Sequence, residues 1–212
     1  MSLYLGKIHY WLFNKILWFE GLEEEIINVA KYEGLDIDKI SKKVNENFGE
    51  KLPNKPLEEI IDHNNIHGWL QEKIYSSEKR MATWINEILK HNKDSINKIE
   101  QVYINQGIKA AKETLSQNID VSDASKIYSR INDYILDGMP CDRVNEIIIS
   151  NEDKVEWRKR VCVHKDIWNN IGIDVSIFYE LRDLWIKSFV NTVNRDYIYI
   201  NGENGVKIIE RN

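Results

Sequence analysis

The stretch "SNEDKVEWRKRVCVHKDIWNN" (Ser150 to Asn170) decides the fold class of this 212-residue chain. Read as a helix, it starts well. Ser150 or Asn151 offers a side-chain oxygen to the first free N–H groups, and Glu152 and Asp153 suit the positive end of the helix dipole. Read as a strand, its "VCV" is short and β-branched. The caps favour the helix, and with a helix here the chain is all-α up to its tail.

The flanking segments agree. Upstream, "DGMPCDRVNEI" (Asp137 to Ile147) places Gly138 as a stop and Pro140 at the first position of a helix running to about Ile149. Before it, Ser122 opens a helix that buries Ile127, Ile131, Tyr134 and Ile135, and Asp94 caps another reaching Leu115. A long helical tract runs from Pro56 to about His91, with the polar patch "DHNN" (Asp62 to Asn65) as a break or a special site. Asp36 to Phe48 is a shorter amphipathic helix. From Ser2 to about Glu33, apolar residues recur at three- and four-residue steps and widen almost to a full circle, which predicts a buried helix or a subunit contact. Downstream, Asp174 caps a helix to about Val193. The tail, "YIYINGENGVKIIE", alternates apolar and polar residues around a Gly-rich turn and predicts a β-hairpin over about 196–210. The expected architecture is one domain spanning 1–212. It is an all-α, multi-helix bundle of mostly antiparallel helices, its C-terminal hairpin packed on the bundle or on a partner subunit.

Composition bounds the function. Hydrophobic residues at 42% and charged residues at 30% describe a globular chain, and three prolines with ten glycines leave room for long helices. A net charge of −5 gives no general attraction to nucleic acid or to an anionic membrane. Lys7, Asn14 and Lys15 interrupt the apolar N-terminal run, so no membrane span is expected; with no basic n-region or small-residue cleavage site there, and too few cysteines for a disulfide framework, a cytoplasmic location with reduced thiols is expected.

No phosphate-binding glycine loop, nucleophile elbow or zinc-protease helix occurs. The chemistry-bearing residues fall into three groups. Cys141, in the first turn of the expected Pro140 helix, would have its thiolate stabilised by the dipole. His164 is then a base or ligand, Cys162 a further sulfur ligand, and Arg182 an anion anchor. In a helix, Cys162 and His164 point about 200° apart; in a strand they share a face. His63 and His67, four apart, could bridge a metal, though two ligands do not complete a site. Around them, "PLEEIIDHNNIHGWLQ" resembles the first histidine segment of DinB-like helical bundles over about one helix. That family completes a three-histidine metal site near its last helix, where "SIFYELRDLWIKSFVNTV" has no histidine. Finally, seven tryptophans and ten tyrosines suggest an aromatic pocket, with Tyr10, Trp11, Trp84, Trp168 and Trp185 as its lining. The expectation is a small organic ligand bound near Cys141 and His164, with catalysis left open and no cofactor named. The alternatives are a homodimeric interaction protein using the first helix and the hairpin, and a metal-binding bundle using His63 and His67.

Overall fold

The computed structural model describes residues 4–212, and among these the fold is mostly helical with one small antiparallel sheet. The helices are α1 (Lys7–Tyr32), α2 (Ile37–Phe48), α3 (Leu57–Ile60), α4 (Ile66–His91), α5 (Ile96–Ser116), α6 (Ala124–Tyr134), α7 (Lys165–Ile171) and α8 (Val175–Val193). The strands are β1 (Asn145–Ser150), β2 (Lys154–Lys159), β3 (Tyr197–Asn201) and β4 (Val206–Arg211), in the order β1-β2-β4-β3. No helix among the described residues is long and apolar enough to cross a membrane.

Several boundaries follow from local chemistry. Asp36, Asn65, Asp123 and Asp174 each accept a backbone N–H in the first turn of α2, α4, α6 and α8. The tract expected as one helix from Pro56 to His91 is two. Asp62 Oδ1 takes the Asn64 N–H at 2.9 Å and Asn65 turns to cap α4, so the patch at 62–65 offers the backbone a local alternative to helical bonding. α5 and α8 pack closely at Gly107, where an added Cβ would run into the Trp185 carbonyl and Ser188 Oγ. α1 buries one broad face rather than its whole circumference. Leu12, Ile16 and Ile26 lie in the core, while Ile8 and Leu17 face solvent.

The opening stretch is not a helix, and this corrects the all-α reading. Lys154–Lys159 form β2, with Val155 and Trp157 buried and their neighbours turned the other way, a period of two. The caps at Asn151 serve the β1–β2 turn instead: Asn151 Oδ1 accepts the Asp153 and Lys154 N–H groups. "VCV" is a connecting loop, and the helix reappears only at Lys165. The expected Pro140 helix is also absent. Pro140–Asp142 is a single 3₁₀ turn ended by Arg143 in the left-handed region (φ 48°), after which the β-branched run of Ile147, Ile148 and Ile149 makes the exposed edge strand β1.

The hairpin forms as expected, but it is half of a larger sheet. β4 pairs with β3 on one side and with β2 on the other, Trp157 lying opposite Lys207. The sheet rests on α6 and α8, so its inner face and these helices enclose a space.

Candidate functional site

Two buried charge clusters organise the interior. In the first, Arg80 of α4 directs Nε to both oxygens of Glu23 at 3.1 Å, Nη2 to Glu20, and Nη1 to Ser76 Oγ at 2.7 Å. The Leu52 N–H completes Glu20 from the loop before α3. Burial pushes the Glu23 carboxyl up to about 7; Arg80 pulls it down, and Glu20 adds to the rise.

The second cluster joins five segments. His164, 1% exposed, sits at the entrance to α7. Its Nδ1 lies 2.7 Å from Glu78 Oε1 of α4 and its Nε2 lies 2.8 Å from Asp137 Oδ1. A carboxylate therefore faces each ring nitrogen. Trp168 Nε1 donates to the same Glu78 oxygen at 3.0 Å. Arg182 of α8 donates to Asp137 Oδ1 and to the Leu136 carbonyl, both at 2.7 Å, and stacks over Phe178. Asn145 Nδ2 fills the remaining Asp137 oxygen at 2.9 Å. Burial opposes ionisation of Asp137, but Arg182 and His164 outweigh it and hold its carboxyl far below the usual carboxylate range.

Unlike the first cluster, this one borders open space. A cavity of about 260 Å³ lies between α6, α8 and the sheet, with Asp137 and Arg182 at its floor. Tyr128, Trp157, Tyr179 and Tyr199 supply aromatic wall; Ile131, Ile135 and Ile186 supply aliphatic wall. Four cations (Arg158, Lys159, Arg182 and Lys207) face two carboxylates, Asp137 and Asp183. Three of the cations are paired: Arg182 with Asp137, Lys207 with Asp183 at 2.6 Å, and Arg158 with Glu146 at 2.8 Å. Lys159 has no carboxylate partner among the described residues; its ammonium lies over the Tyr179 ring. Burial, reinforced by Arg182, pushes the Lys159 ammonium down to about 8. Burial likewise raises the hydroxyls of Tyr179 and Tyr199 above the usual phenol range.

Of the residues singled out from sequence, the structure brings His164 and Arg182 together, 3.2 Å apart. It leaves the sulfurs elsewhere. Cys141 is exposed on its 3₁₀ turn, which is too short to present a helix dipole, and Cys162 is exposed against the Tyr179 hydroxyl at 3.0 Å. Both His164 nitrogens face carboxylates, so neither cysteine hydrogen-bonds the imidazole; Cys162 meets Tyr179, which lines the cavity and packs against the His164 ring. The expected aromatic lining is dispersed. Trp84 and Trp168 are core residues, Trp185 donates to Gln106, Trp11 to Asp133, and Tyr10 to Glu58. His67 meets His9 of α1, Nε2 to Nε2 at 3.3 Å, while His63 turns to the Glu58 carbonyl at 3.0 Å. The Gly6 N–H donates to His9 Nδ1, which puts the proton of a neutral His9 on Nε2 and makes it a donor to His67 rather than a metal ligand. No group of three or more His, Cys, Asp or Glu among the described residues is arranged to hold a metal ion.

Comparison with protein-family models, with curated proteins and with solved structures finds no match to this chain. The functional reading therefore rests on the cavity and its charges.

Proposed function

We propose that the protein binds a small, anionic, partly aromatic organic molecule in the cavity between α6, α8 and the sheet. One observation carries this reading: Lys159, a half-buried ammonium without a carboxylate, stands in an aromatic-walled cavity of an otherwise acidic protein. An unpaired charge held partly out of water costs free energy, which an anionic ligand would offset. The four aromatic rings suit a flat body, and the imbalance of cations over carboxylates draws anions inward. His164, Glu78, Asp137 and Arg182 satisfy one another in this reading and act as a rigid floor that positions Tyr179 and Lys159.

The test is titration of the protein with a panel of aromatic and aliphatic carboxylates and phosphates, followed by Trp157 fluorescence and calorimetry. The expected result is saturable binding of at least one flat anion, weakened about tenfold or more in Lys159→Ala, the loss of one charge-assisted contact. Affinity should fall as pH rises through about 8, where Lys159 gives up its proton. Equal binding of neutral isosteres, or affinity indifferent to Lys159→Ala, would refute the reading.

A further inference from the structure

A second, smaller cavity of about 100 Å³ lies on the other side of Asp137, between α1, α6 and the 138–145 loop. Lys15 of α1 lines it, although the residue is only 4% exposed. Its ammonium rests 3.9 Å above the Trp11 ring, and it makes no hydrogen bond or ion pair with any described residue. Arg143, at the rim, is likewise without a carboxylate partner among the described residues, and its left-handed backbone (φ 48°) turns the chain there. The carboxylate in the wall, Asp137, is already saturated by His164, Arg182 and Asn145. Two uncommitted cations thus face one small polar hollow. One of them is a lysine whose side chain is almost wholly buried and forms no ion pair with a described residue.

We infer that this hollow is a binding site for a small oxyanion of phosphate size, held between the Lys15 ammonium and the Arg143 guanidinium. The lining fits the chemistry: Arg143 offers a planar fork of donors and Lys15 a point charge to the same hollow. Such an anion can be a free ion or the acidic end of a larger molecule reaching out past Arg143. Asn132, Asp137 and Asn145 line both hollows, so this site adjoins the aromatic cavity, while Lys15 and Arg143 line only this one.

Charged groups from every neighbouring element bear on Lys15. Burial pushes its ammonium down to about 8, Asp137 of the loop and Asp133 of α6 oppose this, and Arg182 of α8 adds to it. A bound anion would reverse the fall. The experiment measures binding of inorganic phosphate and of methyl phosphate to the full chain by calorimetry at pH 7 and pH 9, with Lys15 followed by NMR of selectively labelled lysine. The expected result is saturable binding at pH 7, a rise in the Lys15 pKa on saturation, and binding weakened about tenfold or more in both Lys15→Met and Arg143→Ala. Arg143 is exposed, so its variant tests the site even if Lys15→Met disturbs folding. Lys159→Ala should leave this binding unchanged. Comparable affinity for methyl phosphate would mark the site as the anchor of a monoester; binding of phosphate alone would mark a free ion. Absence of saturation up to about 10 mM, or affinity insensitive to Arg143→Ala, would overturn the inference.

Discussion

The Arg80 cluster and the His164 cluster contain similar groups at similar depth, yet only the second borders a cavity. Around Arg80, the charges, Ser76 and the backbone of Glu50 and Leu52 in one loop close on one another. Around His164 the same kind of mutual satisfaction forms a wall, and two lysines just beyond it, Lys15 and Lys159, lack carboxylates. The lesson is that burial of charge does not mark a site. A buried cation left without a partner beside open space is the feature on which both proposals rest, since it carries a cost that the fold itself does not recover.

The comparison breaks most sharply at Arg80. Arg80→Ala leaves Glu20 and Glu23 buried without a counter-charge, and is expected to cost about 3–5 kcal/mol in urea unfolding. Anion binding by whatever fraction stays folded should not change; if it does, the two clusters are coupled and the contrast fails. Lys15→Met should act in the opposite direction. Removing an unpaired buried ammonium is expected to raise stability at pH 7 by on the order of 1–3 kcal/mol. In the native chain, Lys15 titrates near 8 when folded, below its ordinary 10.5. Its penalty is therefore present below about 8, and stability recovers as pH rises toward 10.5, a recovery that Lys15→Met should lack. A destabilised Lys15→Met would instead make Lys15 part of the scaffold.

The smallest effect is also the most discriminating, because the clusters respond to acid with opposite sign. Asp137 is held below its ordinary 3.8, so its contribution is complete above that value and is lost as pH falls beneath it. Glu23 is raised from 4.5 to about 7, so its contribution is complete below 4.5 and drains away as pH rises to about 7. Unfolding midpoints across pH should show each limb as on the order of 1 kcal/mol, since neighbours share each proton. Asp137→Asn should flatten the acid limb alone and Glu23→Gln the other alone.

Most helices could be read from sequence because their signals are local: the cap at Asp174, the stripe of α8, the stop before Asn92. The sheet was half legible. The hairpin announces itself through its turn, but β2 is a strand chiefly because β4 pairs with it, and nothing within residues 154–159 reveals that partner. The polar signals at 150–153 were real and belonged to a turn rather than a helix start. At the site, His164 and Arg182 stood out by residue type. Glu78 and Asp137 carry no local signal in the sequence, and Lys15 reads as an interruption of an apolar run. The burial that gives those three their meaning comes from packing of segments distant in the chain. The cysteines attracted attention through rarity, which carries no information about depth or neighbours.

The position of β4 inside the sheet has a consequence for how the molecule comes into being. β2 is separated from β4 in the chain by α7, α8 and β3, so one of its edges pairs only with a strand distant in sequence. The aromatic cavity, with Lys207 in its wall, exists only once that distant strand has slotted between β2 and β3, the kind of late, non-local closure that slows folding. The proposed ligand site therefore depends on β4 as well as on the helices that supply most of its wall.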